Sequence, residues 1–248
     1  MPAKIGKFGF VNNFLPYYWL EQNGVRIIEA SPRKLAEMFE KEEIDFAPVP
    51  SFYYIKNKDK LRSYDFCIAS RNRVLSVILV SEGKMLDDGC IAITNQTLTS
   101  VNLLKIILSE QGRKNKIAHV DESKTSDLLK HCTHALVIGD EAIKARMKYS
   151  VVMDLETEWR DLTGYPMVFG IAVSWKERDM SEVNKTVMES TAWGKRNADV
   201  VVAEAEKKFG MPAEFLREYF HTLTYQMGAE ERRGLELFEE KCYDYGLL

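Results

Sequence analysis

Short apolar runs alternate with amphipathic stretches from the start of the chain. Runs over residues 5–10, 26–29, 45–49, 66–70 and 75–80 have the length and content of buried strands. Helical patterns lie between them. The clearest begins at Ser31, an N-cap residue type, followed by Pro32 at the first helical position. Strands alternating with helices predict an α/β fold with a mainly parallel sheet. A second stretch repeats the pattern, with a strand over 90–94, a helix over 99–110 carrying Val101, Leu104 and Leu108, and short strands over 116–119 and 135–138. After Trp175 the pattern turns helical, over 181–208, 212–227 and 229–244, with Gly210 and Gly228 at the breaks.

No Pro/Gly/Ser-rich linker separates the two α/β stretches, and no internal repeat occurs. Two lobes joined by strands are therefore expected, with the final helices returning to the first lobe. The crossings fall near 79–82 and 172–175, where strands can act as hinges. This gives one discontinuous lobe of residues 1–81 and 174–248, and a second of 82–173.

Composition narrows the partners. A net charge of −3, with 34 basic residues dispersed along the chain, argues against nucleic acid and anionic membranes. No apolar stretch reaches the ~20 residues of a membrane span. From Met1 the chain runs straight into a strand, without the basic start and apolar core of an export signal. A cytoplasmic location follows as the expectation. The four cysteines (Cys67, Cys90, Cys132, Cys242) form no CxxC pair and read as reduced thiols.

Polar residues cluster where strands end, the edge at which α/β sheets bind ligands. Asn12 and Asn13 follow the first strand. Their amides could bind a hydroxyl or carboxylate, or cap the next helix. Ser51 opens a short helix after Pro48-Val49-Pro50, a candidate carboxylate site. Thr94-Asn95-Gln96-Thr97-Leu98-Thr99-Ser100 carries more polar groups than one cap needs, so Thr97, Thr99 and Ser100 are candidates for an anion. Ser76 is a lone hydroxyl in an apolar strand. Arg73 nearby could pair with a carboxylate bidentately. Asp140 stands at a strand-to-helix turn. His131-Cys132-Thr133-His134 has a metal-like spacing but lacks the further ligands that zinc needs.

These segments resemble the chorismate dehydratase family of the futalosine route to menaquinone. The matching blocks are Ile5-Gly6 through Asn13 and Pro16, Glu43-Ile44-Asp45 leading to Pro48 and Ser51, and Arg73-Val74-Leu75-Ser76-Val77. Others are Thr94 through Leu104, Ile138-Gly139-Asp140-Glu141-Ala142, Glu158-Trp159 through Phe169, and Gly234-Leu235 with Phe238. They span nearly the whole chain in order. The sequence departs from the pattern at Leu75, where Gly is commoner, at Thr97 in place of Ser, and by one extra residue before Pro16.

The resemblance implies a two-lobed type 2 periplasmic-binding-protein-like fold with a ligand cleft between the lobes. It implies a lyase that dehydrates chorismate to 3-[(1-carboxyvinyl)oxy]benzoate without metal or redox cofactor. The family's catalytic Asn and Ser carry over to Asn13, which keeps the Asn-x-x-Pro spacing, or Asn12, and to Ser76. Asn12, Ser51, Arg73, Thr97, Thr99, Ser100 and Asp140 are the expected substrate contacts. A homodimer is compatible with this reading. Two alternatives share the fold: an enzyme like 1,4-dihydroxy-6-naphthoate synthase, and a non-catalytic binder of small anions.

Overall fold

A computed structural model describes residues 3–83, 85–95 and 97–248; Met1, Pro2, Lys84 and Gln96 lie outside the described residues. In chain order the elements begin with β1 (Ile5–Phe8), a single 3-10 turn (Val11–Asn13), α1 (Phe14–Gln22), β2 (Ile27–Ala30), α2 (Pro32–Glu40), β3 (Ala47–Pro50), α3 (Ser51–Lys56) and β4 (Leu61–Ser70). Next come β5 (Val77–Ser81), β6 (Ile91–Thr94), α4 (Thr99–Glu110), β7 (Ile117–Val120), α5 (Thr125–His131), β8 (His134–Ile138), α6 (Gly139–Ala145), β9 (Ser150–Asp154) and α7 (Leu155–Thr163). The chain ends with β10 (Met167–Trp175), α8 (Ser181–Arg196), α9 (Ala198–Phe209), α10 (Ala213–Thr222), β11 (Leu223–Gln226) and α11 (Ala229–Asp244).

Contacts divide the chain into two compact units, residues 1–69 with 168–232 and residues 70–167 with 233–248. These limits differ from the 81 and 174 expected from the pattern. β5 pairs with β8 and β9, so it belongs to the second unit. The last helix is likewise shared, because its distal part buries Phe238 in the second unit.

In the first unit, β11, β4, β10 and β3 form one sheet in that order, and β1 pairs with β2 in parallel. Aromatic burial holds it. Tyr17 meets Phe66 edge-on at 5.6 Å, and Phe66 stacks on Tyr225 at 6.2 Å. Each such ring contributes about 1.5–3 kcal/mol of transfer free energy when buried. Helix α2 starts as its sequence dictates, with the Lys34 amide donating to Ser31 Oγ.

The second unit has the strand order β7-β6-β8-β5-β9. β6 runs parallel to β7 and β8, whereas β5 runs antiparallel to β8 and β9. Ile78, Val80, Ala92, Ala135 and Val137 pack against Leu128 of α5 and Ala142 of α6. The distal part of α11 packs on α7, where Trp159 meets Phe238 edge-on at 6.1 Å. Close approach there requires glycine, since a Cβ on Gly234 would stand 1.9 Å from the Pro166 carbonyl oxygen.

Four expectations need correction. The sheets are mixed rather than mainly parallel, because β5 and β10 run against their neighbours β8 and β3. The 181–208 helix is two helices that meet at Asn197, whose backbone leaves helical geometry. The helix expected to reach 227 stops at Thr222, and Leu223–Gln226 joins the sheet beside β4, with the Tyr225 ring against Phe66. Finally, Cys90 and Cys132 are bonded, leaving Cys67 and Cys242 as buried free thiols. Parallel pairing sets Ile91 opposite His134, which brings the two Cα atoms to 5.1 Å, within disulfide range. Spacing along the chain cannot show this, as the partners stand 42 residues apart.

Two stability predictions follow. Gly234→Ala should cost about 1–3 kcal/mol by overpacking; an unchanged urea midpoint would show that α11 shifts freely. Cys132→Ser, or reduction with dithiothreitol, should cost about 2–4 kcal/mol. A melting curve insensitive to reductant would show that the bond is not made in solution.

Candidate functional site

In the first unit the β1 strand delivers the chain into the turn that carries Asn12 and Asn13. Asn13 occupies the N-cap position of α1, yet its side chain makes no capping bond. Its Nδ2 donates instead to Asn12 Oδ1 at 2.7 Å. Its Oδ1 is buried without a hydrogen-bond partner among the described residues. An unsatisfied buried amide oxygen costs about 1–3 kcal/mol, which a ligand's hydroxyl would offset. The turn is pinned from behind by Tyr225, whose hydroxyl donates to the Asn12 carbonyl at 2.9 Å. Capping, one of the two readings of this pair, is therefore not what the side chain does.

Ser51 is fully buried, and its hydroxyl donates to the Val168 carbonyl at 2.6 Å, tying α3 to β10. Its proton is already used within the fold. Helix α3 is only 6 residues long, with Pro50 rather than Ser51 at its cap position. Beside Ser51, the Tyr53 hydroxyl is pushed well above the ordinary tyrosine range, first by burial and then by Glu40.

The second unit gathers its candidates along one sheet edge. β6, β8 and β9 run in one direction and β5 against them, so the start of β5 lies with the ends of the other three. Ser76 precedes β5, Thr97, Thr99 and Ser100 follow β6, Asp140 follows β8 and Asp154 ends β9. Gly139 N–H donates to the Ser76 carbonyl at 2.7 Å, which sets Ser76 beside the start of α6. Ser76, Thr97, Thr99 and Ser100 are all buried, whereas Arg73 is exposed. Helix α4 has Leu98 at its cap position, a residue without a capping side chain. Asp140 lies in the first turn of α6, whose cap position is Ile138.

The metal-like run is otherwise engaged. Cys132 is in the disulfide, His134 Nε2 lies 2.8 Å from Asp87, and His131 lies 3.4 Å from Glu122. Among the described residues no group of three His, Cys, Asp or Glu side chains could hold a metal ion.

Asp154 is the residue that sequence reasoning missed. Its Oδ1 accepts from Glu156 N–H at 3.1 Å and Thr157 N–H at 3.4 Å, capping α7. The same carboxylate accepts from Val74 N–H at 3.1 Å and Leu75 N–H at 2.9 Å, just ahead of Ser76. Its only sequence signal is that of an acidic cap before a helix. Leu75 has φ +61°, the left-handed region, which costs a non-glycine residue about 1–2 kcal/mol.

Two residues on, Glu156 is fully buried. One carboxyl oxygen accepts from Met167 N–H at 2.9 Å, and the other has no partner among the described residues. Burial, more than the nearby Asp154 charge, pushes its pKa from the ordinary 4.5 up to about 9. Between these two values the folded state holds a proton that the unfolded chain has lost. This contribution to stability is full below about pH 4.5 and is lost as pH rises through about 9. Glu156→Gln should therefore flatten the melting temperature between pH 5 and 9. A slope equal to the wild type's would mean that Glu156 is ionised in the fold.

Comparison with known proteins agrees with this architecture. The chain is 28% identical to the chorismate dehydratase of Thermus thermophilus, covering 96% of this chain and 94% of that protein. The crystal structure of protein AF1704 from Archaeoglobus fulgidus superposes with a TM-score of 0.83 at 18% identity, covering 99% of this chain and 98% of the other. The periplasmic aliphatic sulphonate binding protein SsuA from Escherichia coli gives 0.69 at 13% identity, covering 99% and 88%. These likenesses establish the fold as α/β of the periplasmic-binding-protein type. Residues 3–244 match the family described as menaquinone biosynthesis, and the chain belongs to that family.

Proposed function

We propose that this chain is a chorismate dehydratase acting in the cytoplasm. The observation that carries the reading is the family match over residues 3–244, joined to a chorismate dehydratase relative aligned along 96% of the chain. The reaction removes the C3 proton and the C4 hydroxyl of chorismate, releasing water and giving 3-[(1-carboxyvinyl)oxy]benzoate. Aromatisation drives it downhill, so the protein need only orient a dianion, exclude water and help the hydroxyl leave.

Asn13 and Ser76 take the catalytic roles. The buried Asn13 Oδ1, without a partner among the described residues, suits a hydrogen bond from the departing hydroxyl group. Ser76 assists proton movement, and the enolpyruvyl carboxylate of the substrate itself takes the C3 proton. That assignment needs no His or Lys base. Thr99 and Ser100 hold a carboxylate at the start of α4. Asn12, Ser51, Arg73, Thr97 and Asp140 complete the proposed contacts. Ser51 contributes through its oxygen, since its proton is engaged by Val168.

Purified protein incubated with chorismate should form the aromatic enol ether, followed by liquid chromatography. Asn13→Ala should lower kcat by about 10²-fold, as misplacement of a reacting group does. Absence of product with the wild-type protein would overturn the reading. The fold neighbour named as a sulphonate binding protein supports a rival, a binder without turnover. Calorimetric binding with chorismate recovered intact would establish that rival.

A further inference from the structure

The backbone leading into Ser76 is held in a conformation its own sequence resists. Leu75, buried and γ-branched, stands at φ +61°. Hydrogen bonds from several separate segments fasten this stretch. Val74 and Leu75 N–H both donate to Asp154, and Arg146 Nη1 donates to the Leu75 carbonyl at 3.0 Å. Gly139 N–H takes the Ser76 carbonyl, and Ser70 Oγ takes the Arg73 carbonyl at 2.6 Å. A helix cap alone needs one acceptor oxygen, which Ser, Thr or Asn at position 154 would supply. Only a carboxylate of this length offers a second oxygen to a second segment, and here Oδ2 serves Leu75 alone among the hydrogen bonds described for it.

We propose that Asp154, backed by Arg146, is a positioning residue. Its carboxylate fixes Leu75 in the left-handed region, and that backbone turn sets the direction of the Ser76 hydroxyl for the dehydration. The inference rests on the reading of Ser76 as a catalytic residue. Asp154 acts entirely through the backbone of residues 74–76, so its contribution exists only while Ser76 has a hydroxyl to aim.

Asp154→Ser tests this, because a serine retains the cap of α7 but cannot reach Val74 and Leu75. With chorismate as substrate, kcat should fall by about 10–100-fold, as misorientation of a reacting group does, with KM changed less than about threefold. In a Ser76→Ala background the same substitution should leave kcat unchanged, the non-additivity expected of residues that act as one unit. Adding Leu75→Gly to Asp154→Ser should recover most of the lost rate, since glycine adopts positive φ without strain. Should Asp154→Ser not fold, Arg146→Gln loosens the clamp from the carbonyl side and is read in the same way. Wild-type rates in a folded variant that has lost the clamp, or a kcat loss undiminished in the Ser76→Ala background, would overturn the positioning role while leaving the dehydratase reading intact. A wild-type protein that leaves chorismate unchanged overturns both.

Discussion

Four backbone N–H groups from two segments some 80 residues apart converge on one carboxylate. Two belong to the first turn of α7 and two to the residues ahead of β5. This constraint settles more than local geometry. It fixes where α7 begins, and α7 carries Trp159 into the core against Phe238. It also fixes how β5 starts, and β5 lies between β8 and β9 in the sheet. β5 runs antiparallel to both of those neighbours, which makes the sheet mixed. Backbone groups buried away from water must be paired, and the left-handed turn at Leu75 is compatible with those pairings only while its own amide has an acceptor.

The polar strand ends divide into those the fold uses and those it leaves for other work. Ser51 belongs to the first kind, because its hydroxyl closes a bond between α3 and β10. Asn13 belongs to the second, as its Oδ1 is buried and makes no bond within the described protein. Sequence alone gives both residues the same standing, each a polar group after a strand in a Pro-containing turn. The difference arises from a carbonyl 117 residues away, which no local pattern contains.

The same limit decides how much of the fold could be read in advance. Strands of the first α/β stretch, the Ser31-capped α2 and the start of α4 at Thr99 were legible, because local hydrophobic runs and caps suffice for them. β11 was not, since Leu223–Gln226 sits in a helical pattern and becomes a strand because Tyr225 finds Phe66. The Cys90–Cys132 bond was hidden for a related reason: only the register of β6 against β8 brings the pair together. Among the site candidates, those at strand ends were visible by type. Asp154 was not, because half of its partners lie in another segment.

Asp154 and Glu156 stand at one helix start in different surroundings. Asp154 accepts four N–H bonds. Glu156 is more deeply buried and has one such bond, and burial outweighs it. The charge on Asp154 then adds to the cost of ionising Glu156, so the first reinforces the neutrality of the second. Were both charged, the turn would carry two negative groups where the α7 dipole and four amides can compensate about one. Four N–H donors go to Asp154 and one to Glu156, and Asp154 is the residue that also holds the backbone ahead of Ser76. Burial thus keeps Glu156 neutral beside the carboxylate that holds the clamp.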